Sequence, residues 1–367
     1  MLTERKDKLM AINVKNLKNT ISLKGVVAGY QIEAKQGQMY WDDERAGLKK
    51  GDAVIQYSGY VTVQTAKNQY ATINVKKNQS FRNGELDPTS QALEAMSKQE
   101  VQTYGKTHDF AKTPTIRIYG GASLVDNYYV KDQEVHGGIR ADLGFGYITL
   151  GEPVDEPEFE NLLNVSVLVK DIVPEVVKDE ETGRAVVKAI FPYTYGSEKK
   201  GTLVVRATTL EFVAGAYEDD LGHYDLGDEL LNYGDEVLDY SWVFIGELNG
   251  YIEEQQSAAP ADGEKRRGFG KRAIIDTKPK RHTEFLLTGL DILDNGEAFS
   301  DEDIKDAIQA REKDIAEKMK ADEEKANKPE ETQKGRGSFG AGRAAAATPQ
   351  ADTTGARPAG RRPSRNF

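Results

Sequence analysis

Tyr60, Lys67, Tyr70, Lys76 and Lys77 crowd into one stretch, VIQYSGYVTVQTAKNQYATINVKK, at residues 54–77. Planar rings stack on bases and amines hold phosphates, so this set suits contact with a single nucleic-acid strand. The stretch reads as two strands joined by a turn. Ile55, Tyr57, Val61 and Val63 fall on one face of the first strand, and Ala71, Ile73 and Val75 on one face of the second. Tyr60, Thr62 and Gln64, then Tyr70, Thr72, Asn74 and Lys76, fall on the opposite faces, because strand side chains alternate. Lys67 stands at the turn. Tyrosines paired across an exposed β surface would give the same pattern without any ligand.

A second hairpin is read from RAVVKAIFPYTYG at 184–196 and GTLVVRATT at 201–209. Lys188 and Arg206 are expected to face away from Val187, Ala189, Phe191, Val205 and Ala207. Its turn carries Tyr193, Tyr195, Lys199 and Lys200. Cations and rings at a loop tip again suit phosphates and bases, and a solvated charged turn is the alternative. The densest positive run in the expected folded part holds Lys265, Arg266, Arg267, Lys271, Arg272, Lys278, Lys280 and Arg281. Phosphate contact with counterion release accounts for it. So does a solvated loop, or an internal partner in the acidic insert at 218–236. That insert has no lysine or arginine and lacks the spacing of a calcium loop. It reads as a solvated helix or loop, with nucleic-acid mimicry or partner docking as further readings. Trp242 lies in a stretch that is apolar on both faces, which places it in a core rather than on a ligand.

Other chemistries find no support. The chain has no cysteine, which excludes disulfides, thiolate metal sites and cysteine nucleophiles. His108, His136, His223 and His282 are scattered, so neither a metal cluster nor a catalytic dyad is visible. Gly335, Gly337 and Gly340 form a GxGxxG, but no strand precedes it and no helix pattern follows, so it is not a dinucleotide motif. No catalytic residue, metal or cofactor is expected, and the protein reads as a non-enzyme. The formal net charge of −11 argues against a whole-surface nucleic-acid footprint while leaving room for a basic groove. No apolar run approaches the ~18 residues of a spanning helix, and the charged start MLTERKDKLM lacks the apolar core of a signal peptide. A cytoplasmic protein is expected.

These residues need elements to hold them. TISLKGVVAGYQI at 20–32 reads as a first strand, with Gly25 and Gly29 marking a bulge or bend. A helix is expected over 86–104, and TIRIYG, NYYV and GYITL read as strands. Residues 152–162, with Pro153 and Pro157, read as a linker. Beyond it come VSVLVKDIV, the second hairpin, the acidic insert in a helix position, GDEVLDYSWVFIGEL at 234–248 and HTEFLLTGLDIL at 282–293. Many short strands with one helical interruption favour small barrels. The chain is therefore expected to be mainly β, with two five-stranded Greek-key barrels at 12–151 and 163–296. A charged helix follows at 297–326, where Ser300 and Asp303 resemble a capping box. Residues 327–367 carry eight basic and three acidic side chains among Gly, Ala and Pro, and are expected to be a disordered basic tail.

The order of elements, the strands KKGDAVIQYSGYVTV and YGDEVLDYSWVFIGEL, and the Gly/Arg-rich C-terminus resemble the oligonucleotide/oligosaccharide-binding (OB) fold single-stranded-DNA-binding proteins, particularly large virus-encoded ones. The resemblance covers roughly 12–295. It implies OB-like barrels and a protein that coats single-stranded DNA through basic grooves and stacked aromatics during replication, recombination or repair. Single-stranded DNA is then the partner, alongside replication or recombination proteins, and the compartment is the host cytoplasm if the chain is viral. Many bacterial members end in an acidic tip, whereas this chain ends RRPSRNF, so contact of the tail with nucleic acid is also expected. An RNA-binding OB protein and a structural β-protein of a virus particle are the other readings.

Overall fold

Alternating apolar and polar residues dominate the chain, and strands dominate the computed structural model. It describes residues 17–39, 42, 48–67, 69–82, 84–196, 202–219, 222–255, 278–292, 299 and 301–326. The tail at 327–367 lies outside the described residues, as do Tyr40, Trp41 and Ser300. The described residues up to Glu324 form one compact unit.

β1 (Asn19–Gln38), β2 (Ala53–Ala66) and β3 (Gln69–Asn78) form an antiparallel meander, with Val61, Val63, Ala71, Ile73 and Val75 turned into the core. The expected bulge is present: the β1–β2 register shifts between Val27 and Gly29. Gly25 is needed there, because a Cβ at that position would sit 1.9 Å from the Gln64 carbonyl oxygen.

A small hairpin of β4 (Phe81–Arg82) and β5 (Glu85–Leu86) leads into helix α1 (Pro88–Ser97). Asp87 caps α1 by accepting from the Ser90 amide at 2.7 Å, with Pro88 at the first helical position. The helix expected over 86–104 is therefore shorter. Gln99 takes a left-handed φ of 61°, and helix resumes only as α2 (Tyr104–Thr107).

TIRIYG and NYYV are one strand, β6 (Thr115–Lys131), bent at Gly120 and Gly121, where φ is +73° and +141°. β6 pairs with β1, then with β7 (Glu134–Asp142), and along its first half also with β8 (Tyr147–Gly151). β3 meets β7 in parallel at Asn74 and Asp142. The pairings β1–β2–β3–β7–β6–β1 thus close a ring of five, ring A.

The same sequence of pairings recurs downstream. β9 (Glu160–Val177), β10 (Glu180–Tyr195) and β11 (Val204–Ala214) form a second meander. After it come a β12 (Ala216–Asp219) and β13 (Gly222–Asp225) hairpin, α3 (Leu226–Tyr233), β14 (Ser241–Gln255) and β15 (Lys278–Ile292). β15 pairs with β14 antiparallel and with β11 in parallel, and β14 pairs with β9. These close ring B, and β1–β9 pairing joins the rings into one eleven-stranded sheet.

GDAVIQYS at 51–58 and GDEVLDYS at 234–241 share Gly, Asp, Val, Tyr and Ser at equal spacing, but they do not share a structure. The first lies in β2 and the turn before it. The second is a 3-10 turn at Gly234–Glu236 and a break at Asp239 (φ 59°), and the strand expected to start at 234 starts at Ser241.

α4 (Asp301–Ala326) is the expected charged helix. Its short apolar stripe is used: Ile304 and Ala307 are buried with Phe299, Leu168 and Ala207, beside Ile190, Val205, Val243 and Ile308. Burying Ile304 alone contributes roughly 1.5–3 kcal/mol. No described helix is long and apolar enough to cross a membrane.

Candidate nucleic-acid interface

The β2–β3 hairpin keeps most of the expected outward face, but Gln64, expected on it, is buried at 3% exposure. Tyr60 stands opposite Asn74, Thr62 opposite Thr72 with hydroxyls 2.9 Å apart, Gln64 opposite Tyr70, and Ser58 opposite Lys76. Lys67 and Lys76 are exposed, and Tyr60 and Tyr70 are half-buried. Toward the turn the hairpin is engaged by ring B, where Gln69 donates to Glu247 at 2.5 Å. Lys77 does not share this face. Its Nζ donates to the Gly146 carbonyl at 2.5 Å, and burial pulls its pKa below the usual lysine value against the opposing charge of Asp87.

The equivalent hairpin of ring B departs from its expected geometry. Arg206 does not face away from the core. It stands opposite Tyr193, on the side shared by Leu210 and Phe212, and is 7% exposed. Val205 and Ala207, expected in the core, face α4 instead. The expectation failed because a helix-covered outer face is as apolar as an inner one, so alternation alone cannot tell them apart. Tyr193 is not at a loop tip: it is 7% exposed, stacks on Phe191 and donates its hydroxyl to Asp126 at 2.8 Å. Tyr195 is half exposed, with the Arg206 guanidinium 4.0 Å from its ring centroid. Lys188 pairs with Asp171 at 2.9 Å.

Around Arg206, α4 completes a polar network. Arg206 Nη2 donates to Asp314 Oδ1 at 2.8 Å, the Tyr128 hydroxyl donates to Asp314 Oδ2 at 2.6 Å, and Arg311 Nε donates to Asp126 Oδ2 at 2.6 Å. Burial and the hydrogen bonds to Asp314 and Asp126 push the Tyr128 and Tyr193 hydroxyls well above the usual tyrosine range. Burial would raise Asp314, but hydrogen bonds from Lys318 and Tyr128 and the charge of Arg206 outweigh it and hold the carboxyl below its usual value. The side chains of Arg206 and Tyr193 are thus committed within the protein.

Lys199, Lys200, Arg266, Arg267, Lys271 and Arg272 lie outside the described residues. Lys280 and Arg281 fall in β15, opposite Glu253 and Ile252. Trp242 is partly buried against the core, as expected, and donates to the Val237 carbonyl at 3.1 Å.

Two groups on ring A were not singled out from sequence. On β6 and β8, Tyr119 and Tyr147 are register partners with ring centroids 5.7 Å apart. The Arg117 guanidinium lies 4.8 Å from the Tyr119 centroid, and Lys77 Nζ lies 5.3 Å from that of Tyr147. Beside them Phe145 is 85% exposed on the turn between β7 and β8. That turn packs on the β6 bend so closely that a Cβ on Gly146 would meet the Ala122 nitrogen at 2.7 Å. On the β6–β7 hairpin, exposed Tyr129 stacks on His136 at 5.4 Å. The signal was available: Arg117 and Tyr119, then Phe145 and Tyr147, stand two apart with Ile116, Ile118 and Ile148 turned inward.

Rings with cations at stacking distance on the surface of a closed strand ring define a β-protein with an aromatic, cation-bearing face. The sequence model of the YorF family matches residues 18–321, and the chain belongs to that family. No curated protein matches it. Among solved structures, it is similar to the wild-type single-stranded DNA binding protein from Thermus aquaticus at 10% identity, covering 77% of this chain and 97% of that one with a TM-score of 0.32. A deletion mutant of the same protein matches at 12% identity, covering 75% and 94%, with a TM-score of 0.34.

Proposed function

We propose that the protein binds single-stranded DNA without catalysing a reaction, and that its two strand rings are OB-like barrels. In each ring the strands follow the order 1-2-3-5-4 and back to 1, with the third and fifth parallel. That order fits the five-stranded Greek-key barrel, whose second and third strands and adjoining loops commonly take oligonucleotides.

The observation that carries the binding reading is the Tyr119–Tyr147 pair with Arg117 and Lys77 beside it. Each base stacked on an aromatic ring contributes ~1–3 kcal/mol regardless of its identity. Lys67, Lys76 and Arg117 supply the salt-dependent part. Such a protein would coat single strands during replication, recombination or repair.

The test is a titration of fluorescent oligo-dT across a salt series, with duplex and oligo-rU as competitors. The reading expects binding that weakens steeply with salt and resists duplex competition. No binding at low salt, or equal preference for duplex, ends it. Stronger competition by oligo-rU transfers it to RNA.

A further inference from the structure

The acidic part of ring B holds a cleft that nucleic-acid binding does not use. From residue 207 to 264 the sequence has fifteen carboxylates and no lysine or arginine. Within this segment the β12–β13 hairpin runs into α3, where Asp225 caps the helix by accepting from the Asp228 amide at 3.1 Å. Between α3, β14 and β15 lies a cleft of about 190 Å³, floored by Trp242, Leu230 and Leu290 and walled by Tyr224 and Tyr233. Both tyrosines are open to solvent, at 48% and 65% exposure. Glu229 and Glu236 stand on its rim, and the Tyr224 hydroxyl donates to Glu229.

Size and charge select the occupant. The volume falls below the ~300–1,000 Å³ of small-molecule sites, so the cleft has room for one large side chain rather than a cofactor. Among the described residues no cluster of His, Asp or Glu is arranged to hold a metal ion. Glu229 and Glu236 on the rim, with Asp228 and Asp235 next to them in sequence, repel phosphates and so disfavour a nucleic-acid strand here. They attract lysine and arginine, and aromatic walls around an apolar floor are the usual seat of a single anchoring side chain.

We propose that this cleft docks a cationic peptide segment of a partner protein, with one aromatic side chain inserted between Tyr224 and Tyr233 and the flanking cations on Glu229, Glu236 and their acidic neighbours. The face would let a basic partner approach ring B while ring A holds a strand of opposite preference.

The test uses the full-length protein and a fluorescent nonapeptide of arginine and glycine with one central phenylalanine. The same peptide with alanine at the centre serves as control. The phenylalanine peptide is expected to bind about tenfold more tightly than the alanine peptide, and both should weaken as salt rises. Tyr233→Ser should erase the difference between the peptides, and Glu236→Gln should weaken both. Oligo-dT binding should be unchanged in either variant, which separates failure here from failure of the nucleic-acid reading. Equal binding of the two peptides, or an unchanged preference in Tyr233→Ser, overturns the proposal. Self-association of the full chain that Tyr233→Ser abolishes would reassign the cleft to a second copy.

Discussion

Rings A and B set the same hairpin in the same position and leave its outer face in opposite states. On ring A the outward residues are Tyr60, Thr62, Thr72, Asn74 and Lys76, and hydroxyl and amide groups cover the strands. On ring B the outward residues include Ile190, Val205 and Ala207, and α4 lies on them. A polar face can remain in water, whereas an apolar one must be covered. The few positions that differ in polarity therefore decide which ring keeps an accessible face. The cations follow the same division. Arg206 is spent on Asp314 and Tyr195, while Arg117 lies against Tyr119 on an exposed sheet surface.

The two rings differ most at Arg206. Arg206→Met leaves Asp314 and the Tyr128 hydroxyl without their buried cation, and is expected to cost about 3–5 kcal/mol in urea unfolding. Lys188→Met, at a pair open to solvent, should cost under ~1 kcal/mol. Equal costs would mean that α4 does not seal ring B.

Next in size is binding. Tyr119→Ala and Tyr147→Ala should each weaken oligo-dT binding by ~1–3 kcal/mol. Tyr195→Ala, beneath the Arg206 guanidinium, should change it little. A reversed ranking would move the binding face to ring B.

The α4 contact also sets a pH window. Asp314 sits below its usual value of 3.8 in the folded protein, so its contribution is complete above that pH and is lost as pH falls through the lowered value. Tyr128 is raised above its usual 10.0, so its contribution is complete below that pH and is lost as pH climbs toward the raised value. Protection factors for 303–322, taken against the intrinsic exchange rate at each pH, should therefore be highest between these limits and fall outside them. Protection that stays flat across both edges would remove the network from the account.

The smallest expected effect is on salt dependence. Arg117→Ala should lower the slope of log K against log salt by about 1, with Arg206→Lys leaving it unchanged.

Local chemistry made much of the fold readable. Alternation in VTV and ATINV, the glycines of β1 and the Asp87-Pro88 start of α1 act over a few residues, and each appears where the sequence places it. The long-range closures β3–β7 and β11–β15 rest on single stretches of parallel pairing, and the order of short strands with one helical interruption anticipated a mainly β chain. The proposed binding face was less legible. Tyr60, Tyr70 and Lys76 share a face because they share a hairpin. Tyr119 and Tyr147 become neighbours only when β8 pairs with β6, a contact between residues 28 apart in the sequence.

Alternation, turn positions and the segment without positive charge can all be read along the chain. Which apolar face is core and which is covered by a helix depends on tertiary contacts. Both exclude water equally well and so select the same residue types. The fate of Arg206 shows the consequence: its neighbours in sequence pointed it outward, and the docking of α4 with Asp314 turned it into a buried ion pair.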